Sequence, residues 1–203
     1  MLNNILTHFN KKNLTDEKYT FLFDKPPLNE YIVYDTETTG LNPKNDEILS
    51  IGAIKIINNR IITSKKFEIF VKPTKEINEE SIKIHQIRNI DLQNGSEPNI
   101  AIDKFLHFIG SRPLVGYYLD FDIKMINRYL KPYLGIKLPN KKIEVSKIYY
   151  DKKTKFIPGE NIDLRFDTIM KDLKLPIFGK HDAINDSIMT AMIFIKLQNI
   201  TKL

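Results

Sequence analysis

A run of β-branched and aromatic residues at positions 31–34, Tyr-Ile-Val-Tyr, constrains the fold more than any other stretch of this chain. It lacks polar alternation, which is typical of a central strand that is buried on both faces. Asp35 and Glu37 follow at the exit of the strand, and strand geometry predicts that both carboxylates point the same way. Two adjacent like charges repel each other, so the pair indicates a divalent cation between them. The alternative is a solvated strand end that enters a polar turn.

Hydrophobic periodicity predicts an α/β fold in which strands come first and then alternate with helices. Two β-type runs, at 47–57 and 60–71, are separated by Asn58 and Asn59, which favour a hairpin turn. The expected architecture is a mixed sheet with an antiparallel hairpin, flanked by helices. Further strands are predicted at 114–116 and 143–149, and helices at 79–84, 98–109, 121–130 (with Pro132 as its limit), 164–173 and from 184 almost to the C-terminus.

Composition places the protein among soluble chains that can bind a polyanion. The 203 residues fit one generous domain, and the absence of cysteine excludes disulfides, thiol nucleophiles and cysteine zinc sites. Lysine and arginine exceed the acidic residues and give a net charge of +6, which favours nucleic acid as a partner. The first ten residues resemble neither a signal peptide nor a membrane span, so we expect a cytoplasmic protein with no membrane association.

Three motifs occur in a fixed order along the chain. The first is the Asp-Thr-Glu-Thr-Thr-Gly-Leu stretch at 35–41, the second is Phe121-Asp122, and the third is the 181–186 segment, which runs from His181 to Asp186. Together they resemble the DEDDh exonucleases, the family of the proofreading epsilon subunit of bacterial DNA polymerase III, ribonuclease T and oligoribonuclease. The resemblance covers roughly residues 31–198 and implies a ribonuclease H-like fold.

The resemblance also implies the roles of the motif residues. Asp35, Glu37, Asp122 and Asp186 would hold two divalent cations, and His181 would be the general base. Phosphodiester hydrolysis independently requires that charge on phosphorus be stabilised and that a water be activated, which two metal ions accomplish together. Hard oxygen ligands favour Mg²⁺ or Mn²⁺, and an unperturbed histidine, with a pKa of about 6.5, can accept a proton at neutral pH.

Further residues are expected to contact the substrate. By resemblance alone, Thr38 and Leu41 would bracket the terminal nucleotide, and Phe121 belongs to the same substrate-binding set. Tyr117 and Tyr118 stand where epsilon-like members commonly have His-Asn, and tyrosines can stack on a base or its sugar.

Several acidic and histidine side chains near the motifs have structural interpretations. Asp120 competes with Asp122 for the second motif, and we prefer Asp122 because it follows Phe121. Asp182 is interpreted as a helix N-cap rather than as a ligand. His85 is interpreted as part of a structural turn segment.

The sequence therefore predicts a 3′→5′ exonuclease that releases nucleoside monophosphates from a single-stranded 3′ end, with DNA favoured over RNA, in proofreading or repair. The alternatives are an enzyme of the same fold that degrades RNA or short oligonucleotides, and a non-catalytic nucleic-acid-binding module. We expect a helical extension at 1–30, with apolar residues at helical spacing between positions 2 and 9, and an exonuclease domain at 31–203. Association with a polymerase is left open, because no tether segment follows the last helix, and so is the oligomeric state.

Overall fold

The computed structural model describes residues 10–155, 161–179 and 181–200, and it is built around one five-stranded mixed sheet. The predicted buried run lies in its central strand, which is antiparallel to one neighbour and parallel to the other. Strand order is β3-β2-β1-β4-β5. The strands are β1 (Glu30–Thr38), β2 (Ile48–Ile57), β3 (Arg60–Phe70), β4 (Leu114–Gly116) and β5 (Lys142–Glu144).

The predicted hairpin is confirmed between β2 and β3, which pair in antiparallel register. Its two-residue turn places Asn58 at φ 49° and Asn59 at φ 58°. Asparagine tolerates this left-handed backbone better than most residues, and a turn of this hand matches the twist of the flanking strands.

Six α-helices that lie wholly within the described residues cover both faces of the sheet. They are α1 (Glu79–His85), α2 (Pro98–Ile109), α3 (Leu119–Leu134), α4 (Val145–Lys153), α5 (Phe166–Asp172) and α6 (Ala183–Asn199). Helices α2 and α3 pack with Ile32 and Tyr34 of β1 in one core. Helices α4, α5 and α6 pack with Val33 in the other core. The α/β class expected from the sequence is therefore confirmed, with β1 buried between two layers.

Two predicted boundaries are wrong. Residues 143–149 form only the end of β5 and then turn into α4, because Glu144 caps the helix by accepting a hydrogen bond from Ser146 N at 3.1 Å. Helix α3 does not end at Pro132 but continues to Leu134, which is buried. Proline removes one intrahelical hydrogen bond, and burial of the last turn offsets that loss.

The described part of the N-terminal segment packs on the α2–α3 layer. A 3₁₀ helix at Glu17–Phe23 places Tyr19 and Leu22 in the same core as α2 and α3. The Tyr19 hydroxyl donates to Asp103 on α2 at 2.6 Å. The apolar spacing predicted between positions 2 and 9 lies outside the described residues. Among the described helices, none combines the length and the apolar character that crossing a membrane requires.

Candidate metal-dependent active site

Three carboxylates meet at the C-terminal end of β1. Oxygen atoms of Asp35, Glu37 and Asp186 all lie within 4.8 Å of one another. Asp35 and Glu37 share the strand face of Val33, which packs toward α6, and Asp186 lies in the first turn of that helix. The expectation that the two β1 carboxylates point the same way is confirmed.

The electrostatics of this group favour a bound cation. Burial, followed by the charges of neighbouring carboxylates, raises the pKa of Asp35 well above its usual range. The same two causes raise the pKa of Glu37 from 4.5 to about 8. Crowded and desolvated carboxylates cannot all ionise at neutral pH without a positive charge among them. Three oxygen ligands at this spacing suit a hard divalent cation.

Asp122 reaches the site from the opposite layer. It lies in the first turn of α3, is 3% exposed, and accepts hydrogen bonds from Thr36 N at 3.2 Å and Thr36 Oγ1 at 2.6 Å. Burial raises its pKa to about 7 despite those bonds. Asp122 stands outside the 4.8 Å group, but among charged neighbours it contributes most to the raised pKa of Asp35. Thr36, which points away from Asp35, therefore positions a fourth carboxylate at the same strand end.

Gly52 allows α6 to approach the sheet beside these carboxylates. It lies opposite Asp35 in the β1–β2 ladder, and a Cβ atom there would collide with the backbone of Ala183 and Ile184. The Ser187 hydroxyl donates to the Gly52 carbonyl at 2.8 Å. Sequence reasoning missed this residue, although a glycine within a strand often marks close approach of another backbone.

His181 is joined to the carboxylate group through its backbone. Its N–H donates to Asp186 Oδ2 at 3.0 Å, and the residue adopts a left-handed conformation at φ 59°. The next residue, Asp182, caps α6 by accepting from Ile184 N at 3.1 Å and Asn185 N at 3.0 Å, as interpreted from the sequence. The His181 side chain is thus placed directly before the helix that carries Asp186.

His85 belongs to a buried turn next to this segment. Its Nδ1 accepts a hydrogen bond from Ile87 N at 3.0 Å, which agrees with its interpretation as structural. Burial and the nearby charge of His181 lower the pKa of His85.

A cleft of about 450 Å³ opens over the carboxylates. Tyr117 forms part of its wall, and its hydroxyl donates to the Leu164 carbonyl at 3.0 Å while its ring packs on Phe166 with centroids 5.1 Å apart. The cleft is lined by Asp35, Tyr117, Arg165, Phe166, Asp167, His181, Asp186 and Thr190. Its volume lies in the range of small-ligand pockets.

The other residues that are expected to contact the substrate do not line this cleft, and they differ in exposure. Thr38 is buried, and its hydroxyl donates to the Gly40 carbonyl at 2.8 Å, whereas Leu41 is 86% exposed. Tyr118 is 75% exposed at the N-cap of α3, in a left-handed conformation that is uncommon for an aromatic residue. Phe121 is partly buried against the α2–α3 core. The cleft thus has Tyr117 in its wall, while Tyr118 and Leu41 are exposed.

Asp46 holds the loop that carries Leu41. Its carboxylate accepts from Asn42 N at 2.7 Å and from the Thr39 hydroxyl at 3.1 Å, which closes the 39–46 loop on itself. Arg128 on α3 donates to the Asp46 carbonyl. The exposed Leu41 side chain therefore lies on a loop whose conformation is held by hydrogen bonds to Asp46. The sequence patterns did not predict this feature.

Comparison with known proteins agrees with this geometry. A sequence model of the exonuclease family matches residues 32–194. The chain belongs to the exonuclease family. That span contains β1 from Ile32 onward, the residues that line the cleft and all but the C-terminal end of α6, so every motif residue lies within the matched region.

Curated relatives of this chain include DNA polymerase III proteins. It is 33% identical over 172 residues to the PolC-type DNA polymerase III of Caldanaerobacter subterraneus subsp. tengcongensis, covering 83% of this chain but only 11% of that protein. It is 30% identical over 168 residues to the DNA polymerase III subunit epsilon of Aquifex aeolicus, covering 82% of this chain and 79% of the subunit. The chain thus spans about a tenth of the PolC-type relatives and most of the epsilon subunit.

Solved structures show the same fold. E. coli exonuclease I in complex with a dT13 oligonucleotide superposes with a TM-score of 0.71 at 15% identity, over 84% of this chain and 41% of that one. Exonuclease X in complex with 5′ overhanging duplex DNA gives 0.64 at 22% identity, over 84% and 92%. The expectation of a ribonuclease H-like exonuclease fold is confirmed.

Proposed function

We propose that this protein is a metal-dependent 3′→5′ exonuclease that hydrolyses the terminal phosphodiester bond of a nucleic acid strand, DNA rather than RNA, and releases a nucleoside monophosphate. The observation that carries the proposal is the meeting of Asp35, Glu37 and Asp186 oxygens within 4.8 Å, under a cleft that His181 also lines. The family match and the relatives named as DNA polymerase III proteins support DNA as substrate and a proofreading or repair setting.

In this mechanism the carboxylates of Asp35, Glu37, Asp122 and Asp186 would hold two Mg²⁺ or Mn²⁺ ions. When bound, these ions would neutralise charge at the phosphate and activate water. A ring nitrogen of His181 accepts the proton of the attacking water, and the bond between its backbone N–H and Asp186 keeps the histidine next to the reacting group. Thr36 keeps the Asp122 carboxylate directed at the site.

We further propose that the substrate strand is held by apolar and aromatic contacts around the cleft. The Tyr117 ring, fixed by Phe166 and the Leu164 carbonyl, would pack against the sugar or base of the terminal nucleotide. The exposed Tyr118 ring would stack on a base outside the cleft, and Leu41 would lie against the terminal base. Thr38 and Phe121 would support these contacts indirectly. Thr38 would hold the loop at Gly40, and Phe121 would contribute to the packing of α3.

The decisive test uses matched single strands of DNA and RNA, each labelled at the 5′ end, with Mg²⁺ or Mn²⁺. We expect stepwise shortening of the DNA, release of nucleoside monophosphates, and no shortening of a strand whose 3′ hydroxyl is blocked by a bulky group. Asp35→Asn should abolish the activity, which excludes a contaminating nuclease. Faster degradation of RNA would instead favour the exoribonuclease alternative, and no degradation of either strand would favour a binding module.

The domain assignment is also a proposal: residues 31–203 form the exonuclease domain and residues 1–30 an extension that packs on it. The family match at 32–194 and the burial of Tyr19 and Leu22 in the domain core support it. Deleting residues 1–24 should expose that core and lower the melting temperature, which differential scanning calorimetry would measure. An unchanged melting temperature would contradict the packing role.

A further inference from the structure

A cationic side chain is part of the cleft lining. Asp35, Asp167 and Asp186 also line the cleft, so its acidic groups would repel a phosphodiester backbone. Among the described residues of this lining, Arg165 supplies the one guanidinium or ammonium group. It is the N-cap residue of α5, whereas the metal-binding carboxylates come from β1, α3 and α6.

Asp163 holds this guanidinium in a defined orientation. The Arg165 Nε donates to Asp163 at 2.9 Å and Nη2 donates at 2.6 Å, and the same carboxylate accepts from Arg165 N at 2.9 Å and from the Thr168 hydroxyl at 2.8 Å. These side-chain bonds use Nε and Nη2, while Nη1 carries two further N–H donors. A planar guanidinium that is oriented in this way suits a phosphate oxygen.

Arg165 and the carboxylates belong to different elements of the same cleft. Asp35 comes from β1 and Asp186 from α6, whereas Arg165 caps α5 and pairs with Asp163. The scissile phosphate is assigned to the carboxylates, so the phosphate assigned to Arg165 is another one of the same strand.

We propose that Arg165 binds the internucleotide phosphate that lies one position upstream of the scissile phosphate. This inference rests on the proposed function and makes Arg165 a determinant of the shortest strand that binds well. The group that Arg165 would recognise is a phosphodiester of a single strand. The other charged groups that line the cleft are acidic or catalytic.

Thymidine dinucleotide and trinucleotide provide the test, because the first contains only the scissile phosphate and the second adds one upstream phosphate. Arg165→Gln should raise KM for the trinucleotide about fivefold, as expected for an exposed charge contact, and should leave KM for the dinucleotide and kcat for both unchanged. On longer single strands the slope of log binding constant against log salt concentration should become shallower by about 0.7, which corresponds to one lost phosphate contact. Arg165→Lys should recover part of the affinity.

Two controls separate phosphate binding from structure and from bulk charge. Asp163→Asn removes the charge that orients Arg165 but keeps the cation, so KM for the trinucleotide should not rise as it does in Arg165→Gln. Arg88→Gln removes a guanidinium that is paired to Asp91 in the same manner, with Nε and Nη2 both at 3.0 Å. This substitution should leave KM unchanged for both substrates.

Equal KM changes on both substrates, an effect of Asp163→Asn equal to that of Arg165→Gln, or an equal effect of Arg88→Gln would each overturn the assignment. An active wild type beside an Arg165→Gln variant with unchanged KM would contradict the role of Arg165 alone. A wild type that cleaves neither substrate would contradict the proposed function, and the role of Arg165 with it.

Discussion

Replacing Glu37 by glutamine should make the metal-free protein more stable at pH 8 while it removes a metal ligand. The pKa of Glu37 rises from 4.5 to about 8 on folding, which corresponds to about 4 kcal/mol of stability lost by pH 8. Because the folded-state pKa is the higher one, the native state binds more protons between pH 4.5 and 8. Stability is therefore complete below pH 4.5 and falls as pH rises through that window.

Thermal unfolding in EDTA at pH 5 and pH 8 measures this effect. Neutral Gln resembles protonated Glu, so Glu37→Gln and the wild type should melt at similar temperatures at pH 5. At pH 8 the variant should melt roughly 10 °C higher, since 1 kcal/mol shifts a chain of this size by about 2–4 °C. Glu79→Gln, at an exposed position on α1, is the matched control and should show no such pH-dependent difference.

Addition of Mg²⁺ at pH 8 should reverse the order of the two melting temperatures, so that the wild type melts above Glu37→Gln. A cation that binds only the folded state raises the melting temperature of the wild type, and it should do so less in Glu37→Gln, which has lost one ligand. An equal difference in melting temperature between variant and wild type at pH 5 and pH 8 would contradict this prediction, because burial of an ionised carboxylate would then not limit stability.

Three further substitutions test how the site is held together. Thr36→Val removes a hydrogen bond to the buried Asp122 carboxylate and should cost about 1–3 kcal/mol in chemical denaturation as well as lowering kcat; an unchanged kcat would show that the bond does not position the carboxylate. Gly52→Ala should push the last helix away from the sheet and reduce both melting temperature and metal affinity, which calorimetry and metal titration would measure; wild-type metal affinity would contradict the close packing. Asp46→Ala should loosen the loop of Leu41 and raise KM for single strands several-fold while the melting temperature changes by only a few degrees; an unaltered KM would argue against the braced loop.

Local sequence patterns were sufficient for the elements whose periodicity has one interpretation. The apolar run at 31–34, the asparagine turn at 58–59 and the helix that begins at Pro98 all lie where their residues predict them. The sequence of segment 143–149 favours a strand because Val145 and Tyr149, which are four residues apart on one helix face, are also β-formers. Only the Glu144 cap and the core beneath α4 select the helix.

The sequence by itself determined that Asp35 and Glu37 lie on one face at the end of a buried strand, because the two-residue period of a strand is a local property. The order of the three motifs also determined the family and the type of fold. Contacts between distant residues were decided by the tertiary structure alone: Thr36 holds Asp122 across 86 positions, and Ser187 bonds to Gly52 across 135. No local pattern encodes such pairs, since they depend on how two helix layers pack on the central strand. That packing brings Asp186 and Asp122 to the end of the strand that carries Asp35 and Glu37, beside a cleft that Arg165 also lines.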